Sequence, residues 1–226
     1  MQRGEPSDGV LERAEGCSGE LVLRRRHQHL QVVSNGAFLI STENEVSSRA
    51  IVAAARGRLP QRPLDALIGG LGLGYALDEA LDLPSLRSVT VAELEPVIVG
   101  WFERYGDARA RRAFSDARTR IVVIDVLELL ASRRAAYDLI CLDTDNGPEW
   151  LVREPNAGIY TARGLRLVRR ALRPDGVAVF WSPERYPRFE RSLEETFGRV
   201  EAVPAVDVVD GRPLAYIMFV ASAVAG

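Results

Sequence analysis

Four short segments of this chain combine residue types that could do chemistry, and each follows an apolar run. The first is Leu67-Ile68-Gly69-Gly70-Leu71-Gly72-Leu73-Gly74. Gly69, Gly70, Gly72 and Gly74 let a backbone turn sharply and approach a bound nucleoside where a Cβ would clash; a glycine-rich turn with no ligand is the competing reading. The second is Val91-Ala92-Glu93-Leu94-Glu95. It lies about 20 residues further on, the spacing at which a carboxylate accepts ribose hydroxyls. Glu93 takes that role ahead of Glu95, which stands beside Pro96 and suits the start of a helix. The third is Ile124-Asp125-Val126, where Asp125 could accept from an adenine amino group, cap the following helix, or do both. The fourth is Leu142-Asp143-Thr144-Asp145-Asn146-Gly147-Pro148-Glu149-Trp150. Asp143 and Asp145, two positions apart in a partly dry cleft, can hold an ammonium group and take its proton as the amine attacks carbon. Asn146, Trp150 and Tyr160 are candidates to line the acceptor pocket. Asn146-Gly147-Pro148 also reads as an Asx turn, and the two aromatic residues also read as packing.

The elements that must position these groups alternate. Strands are expected at Leu64–Ile68, Ser88–Ala92, Arg120–Ile124, Leu139–Leu142 and Val177–Trp181. Helices are expected at Gly74–Leu81, Pro96–Tyr105, Val126–Arg133, Ala162–Leu172 and Pro187–Phe197, with Pro174 and Gly176 enforcing a turn before the fifth strand. Such alternation argues for a parallel sheet covered by helices, and open α/β sheets bind ligands at the carboxyl ends of their strands, where all four segments fall. Val200–Val209 and Leu214–Ala221 flank Asp210-Gly211 and read as a terminal antiparallel hairpin. Ahead of the sheet, Glu20–Arg25, His29–Val33 and Ala37–Ser41 are strand-like, the last two joined at Asn35-Gly36, and Glu45–Arg56 has helical spacing. The expected organisation is a loosely attached segment 1–18, a small β-hairpin and helix unit over 19–60, and a Rossmann-like domain over 61–226. The fold class is α/β, with the layout of a class I methyltransferase; dinucleotide dehydrogenases repeat a second βαβαβ half instead. The glycines agree. Read from Gly70, the pyrophosphate pattern G-x-G-x-x-G puts Tyr75 in the third glycine position, whereas Gly70-x-Gly72-x-Gly74 fits the looser turn that cradles S-adenosylmethionine.

Composition removes other classes. The chain has 226 residues, 47% hydrophobic and 27% charged, with a net charge of −2. That balance offers no electrostatic case for nucleic acid or an anionic membrane surface, and no apolar run is long enough to span a bilayer. Residues 1–19 do not read as a signal peptide, so the cytoplasm is the expected location. Every basic side chain other than histidine is arginine, which excludes a Schiff-base lysine and a Walker lysine. The histidines, His27 and His29, are too few for a metal site, and none is expected. Cys141, inside an apolar run, reads as a small buried hydrophobe, and two cysteines make no disulfide scaffold.

In order and content the four segments resemble the spermidine synthase family, whose glycine turn, Glu-x-Asp, Gly-Asp and Asp-x-x-Asp-Pro-x-Gly-Pro loop occur in the same sequence. The resemblance implies that Glu93 binds ribose, Asp125 adenine, and that Asp143 is the base for an incoming amine. It also implies homodimerisation. The chain departs from the family in a loop one residue shorter at Asp145, and in Ser47-Ser48-Arg49 where the family carries a Tyr-His pair over cofactor and polyamine. The leading expectation is therefore methyl or other alkyl transfer from S-adenosylmethionine to a small, amine-type acceptor. The alternatives are aminopropyl transfer from decarboxylated S-adenosylmethionine to a polyamine, displacement within the cofactor's own side chain, and a catalytically silent binding module.

Overall fold

The computed structural model describes residues 8–17, 19–43, 45–143, 157–209 and 211–223. In chain order the elements are β1 (Gly9–Gly16), β2 (Gly19–Arg26), β3 (His29–Ser34), β4 (Ala37–Ser41), α1 (Glu45–Ala53), β5 (Leu64–Gly69), α2 (Tyr75–Leu81), β6 (Leu86–Glu93), α3 (Pro96–Tyr105) and α4 (Ala108–Ser115). They continue as β7 (Thr119–Val123), α5 (Val126–Ala131), β8 (Tyr137–Leu142), α6 (Ala157–Tyr160), α7 (Ala162–Ala171), β9 (Leu172–Ser182), α8 (Pro187–Phe197), β10 (Gly198–Val209) and β11 (Arg212–Ala223).

The larger sheet has the order β10-β11-β9-β8-β5-β6-β7. Its five strands from β9 to β7 run parallel, and β11 and β10 close it antiparallel. Helices on both faces explain why the central strands are apolar at successive positions: β8 is buried over its whole length. Alternate side chains go to opposite layers. Ala66, Ile68, Leu139 and Cys141 pack under α1, α2 and α3, while Leu67, Ile140 and Leu142 pack under α5, α7 and α8. Pro204 lies on β10, an outer strand, where a missing N–H costs no ladder bond.

The N-terminal strands form a separate antiparallel sheet, β1-β2-β3-β4, whose Leu21, Leu23, Leu30 and Val32 pack on Ile98 and Trp101 of α3. Asn35 and Gly36 both have positive φ, the conformation that a two-residue hairpin turn of the primed type requires. The expectation of a loose segment 1–18 is corrected over Gly9–Gly16, which pairs with β2. Its reason is tertiary. Glu12 accepts from Trp101 Nε1 at 2.8 Å, Arg104 at 2.7 Å and the Tyr105 hydroxyl at 2.7 Å, all on α3. Helix α4 carries little apolar periodicity and is set by its cap, Asp107 accepting from Ala110 N at 2.8 Å. The turn expected at Arg173–Gly176 is absorbed within β9: Tyr137 faces Leu172 and Leu139 faces Val177, so the intervening residues bulge out of the ladder. No helix among the described residues is long and apolar enough to cross a membrane.

Candidate functional site

Four parallel strands end side by side, and their ends build the site. Gly69 of β5 is level with Ala92 of β6 on one side and Leu142 of β8 on the other, and Glu93 is level with Val123 of β7. The exits are fixed by backbone bonds: Gly70 N donates to Ala92 O at 2.9 Å, Asp143 N to Gly69 O at 3.0 Å, and Ile124 N to Glu93 O at 2.9 Å. The glycine turn, Glu93, Asp125 and Asp143 are thus brought to one edge, as the strand pattern requires.

Within the turn, Gly72 and Gly74 have φ of 53° and 81°, and each also has a packing reason to lack a side chain. A Cβ on Gly72 would sit 2.8 Å from Ile40 of β4, and one on Gly74 only 2.1 Å from the Phe102 ring. These glycines therefore seat the turn against the N-terminal sheet and α3, a role that motif reading did not separate from ligand cradling. Glu93 is 6% exposed. One carboxylate oxygen accepts from Leu71 N at 2.8 Å and the other from Glu95 N at 2.9 Å, so it ties the turn to the end of β6. Asp125 caps α5, accepting from Leu127 N at 2.7 Å, which establishes that half of its double reading.

Asp143 is partly buried beyond the end of β8, and desolvation pushes its carboxyl up to about 6. Cys141, two residues earlier, is buried; burial first and the Asp143 charge second push its thiol far up, as befits a packed side chain. Tyr160 ends α6 with its ring edge-to-face to Phe189, centroids 5.3 Å apart. Asp145, Asn146 and Trp150 lie outside the described residues.

Sequence reasoning missed one contact beside these groups. Glu95, 1% exposed, leaves the start of α3 uncapped; both of its oxygens accept from Cys17 N, at 2.9 and 3.1 Å. The link fastens the end of β1 against the end of β6 across 78 residues of sequence, and no local pattern announces it. Ser47, Ser48 and Arg49 lie in α1. Ser47 N donates to Asp207, and Arg49 pairs with Glu45 at 2.8 Å, Asp78 at 2.7 Å and Glu79 at 3.5 Å. Among the described residues, no group of three or more His, Cys, Asp or Glu could hold a metal.

Comparison with known proteins gives the family and the fold. Residues 48–193 match the family described as the spermine/spermidine synthase domain. A polyamine aminopropyltransferase of Moorella thermoacetica is 30% identical over 141 residues, covering 60% of this chain and 48% of that protein. One of Sulfolobus acidocaldarius is 27% identical over 114 residues, covering 50% and 37%. The chain thus spans about half or less of the length of these relatives. A spermidine synthase solved in complex with the transition-state analogue AdoDATO superposes with a TM-score of 0.81 at 16% identity, over 94% of this chain and 73% of that one. The spermidine synthase of Thermotoga maritima gives 0.75 at 17% identity, over 94% and 72%. The fold is theirs, and with more than half its length matched, this chain belongs to the spermine/spermidine synthase domain family.

Proposed function

We propose that this chain transfers an aminopropyl group from decarboxylated S-adenosylmethionine to a small amine. The observation that carries the reading is Asp143: a carboxyl raised to about 6 at the carboxyl end of the sheet, in register with the glycine turn. A base poised near neutrality takes a proton from an ammonium or amine most effectively as bonding to carbon develops. Glu93 and Asp125, at the same edge, are assigned to the rest of the nucleoside, the first toward ribose and the second toward adenine. Acids at the ends of β6, β7 and β8, around the glycine turn that follows β5, suit a cationic cofactor, and favour the form without a carboxylate of its own.

The sulfonium supplies the leaving group. Attack by the amine nitrogen forms a carbon–nitrogen bond as the carbon–sulfur bond breaks. The electron pair returns to sulfur as a neutral thioether, and Asp143 accepts the proton released from nitrogen. The protein's own part is to orient the acceptor in line, exclude water and hold that proton. Polyamine aminopropyltransferases among the relatives support this over the methyl transfer placed first on sequence grounds.

Arg49 supports a second reading. It carries its guanidinium where the family has a Tyr-His pair, engaged with Glu45, Asp78 and Glu79, so the acceptor differs from a simple diamine or the transferred group does. The test is release of methylthioadenosine from decarboxylated S-adenosylmethionine with putrescine or spermidine, beside release of S-adenosylhomocysteine or methylthioadenosine from S-adenosylmethionine with the same amines. Turnover with the decarboxylated form alone supports aminopropyl transfer. Turnover with S-adenosylmethionine alone replaces it with the alkyl-transfer reading, and binding without turnover leaves a silent module.

A further inference from the structure

A cavity of about 290 Å³ adjoins the glycine turn, and Glu93, Asp125 and Asp143 are not among its lining residues. Its walls come from the N-terminal sheet, the start of α2 and the corner between α3 and α4. Its apolar lining includes Leu23, Leu30, Ile98, Trp101 and Leu73, and Gln28, Thr42, Tyr75 and Tyr105 add neutral polar groups. That volume is at the lower end for a small-molecule pocket.

Charge is distributed unevenly around it. Asp78, 8% exposed, is held between Arg49 at 2.7 Å and Arg109 at 2.9 Å, so the two guanidiniums share that carboxylate. Asp107 is occupied in capping α4. Arg25 differs from both arginines. It is half-buried on β2 against the same cavity, and among the described residues it makes no ion pair and no side-chain hydrogen bond. A partly buried guanidinium at the rim of such a hollow, without a counter-charge, is stabilised by an anion that brings its own apolar body.

We propose that this cavity binds a small amphipathic carboxylate, its acid on Arg25 and its apolar body against Leu30 and Trp101. The cavity shares the glycine turn with the transferase site but none of its three acids. Because Leu73 and Gly74 form one wall, an occupant braces the glycine turn against the N-terminal sheet, and its binding and the cofactor's are reciprocally coupled.

The experiment is calorimetric titration of the whole chain with phenylacetate and with its neutral analogue 2-phenylethanol, repeated with the Arg25→Gln variant. The expected result is saturable binding of phenylacetate, at least about tenfold tighter than the alcohol, with that preference lost in R25Q, in keeping with a charge-assisted hydrogen bond. The Arg25 side chain is partly exposed and, among the described residues, makes no ion pair or side-chain hydrogen bond, so circular dichroism should report an unchanged fold for the variant. Equal affinity for acid and alcohol, an unchanged affinity in R25Q, or no binding of either overturns the proposal. So does competitive displacement of phenylacetate by decarboxylated S-adenosylmethionine, which would make the cavity part of the cofactor site.

Discussion

At the amino ends of the central strands, carboxylates are answered by arginines; at the carboxyl ends of the same strands, they are answered by backbone amides or left close to neutrality. Asp138, fully buried near the start of β8, accepts from Arg62, from Arg173 and from Asp65 N, the last at 2.8 Å. Asp65, near the start of β5, is desolvated, yet its bonds to Arg87, Arg173 and Ser88 hold its carboxyl well below the usual range. Opposite them, Asp143 is pushed up to about 6, and Glu93 and Asp125 each hold backbone N–H groups. The paired end can stabilise the sheet but has no charge to spend on a ligand. The other end keeps Asp143, an acid raised far enough to exchange a proton with a ligand, where an open α/β sheet does chemistry.

Exchanging one acid at each end should separate these roles. Asp143→Asn is expected to lower kcat by about 10²–10⁴-fold, the range of a positioned general base, with the acidic limb near pH 6 lost from the kcat/KM profile. Its stability should move the other way. A carboxyl raised from its ordinary 3.8 to about 6 binds its proton more tightly in the folded chain, so the cost of ionising it is complete above pH 6 and gone below about 3.8. Denaturant unfolding should therefore find D143N more stable than the parent at pH 8, by on the order of 2 kcal/mol, with the difference fading toward pH 4. A loss of stability at pH 8 would show that the Asp143 charge is satisfied after all.

At the other end, Asp138→Asn should cost roughly 3 kcal/mol of stability, because it leaves two arginines without their buried partner. The cofactor affinity of the folded fraction should stay within about twofold, since sites this far apart are close to additive. A large affinity loss in D138N would remove the distinction between the two ends. Glu93→Gln comes next. It keeps a carbonyl for one backbone N–H and loses the ionised acceptor, so KM for the cofactor should rise by about tenfold, in keeping with one charged hydrogen bond. An unchanged KM would confine Glu93 to bracing the turn.

Much of this was legible beforehand, and for a physical reason. A parallel sheet buried on both faces imposes apolar runs, and the turn after each strand must carry whatever chemistry there is, so β5, β6, β8 and their following residues read directly. Helix α3 was bounded correctly because Pro96 and the apolar spacing mark it. What stayed hidden depends on contacts between distant residues. Strand β1 has few apolar side chains and is held by Glu12 on α3 and by Glu95 on Cys17 N. The glycine turn showed the opposite ambiguity: Gly74 is legible as a glycine, but only the Phe102 ring against it reveals that protein packing requires it.

The smallest expected effect resolves the residue with two readings. Asp125 caps α5, and replacing a cap by alanine costs about 1 kcal/mol, so Asp125→Ala should lower the unfolding midpoint whether or not the residue meets the cofactor. Asp125→Ser distinguishes the two roles. Serine retains an oxygen for Leu127 N and ranks with aspartate as a cap, so D125S should match the parent within a few tenths of a kcal/mol. It has neither the reach nor the charge to accept from an adenine amino group. If Asp125 contacts adenine, D125S weakens binding of decarboxylated S-adenosylmethionine severalfold in calorimetry while its unfolding curve stays in place. If both affinity and stability are kept, Asp125 belongs with the structural carboxylates, and only Glu93 and Asp143 of the described acids remain to meet the cofactor at the carboxyl edge.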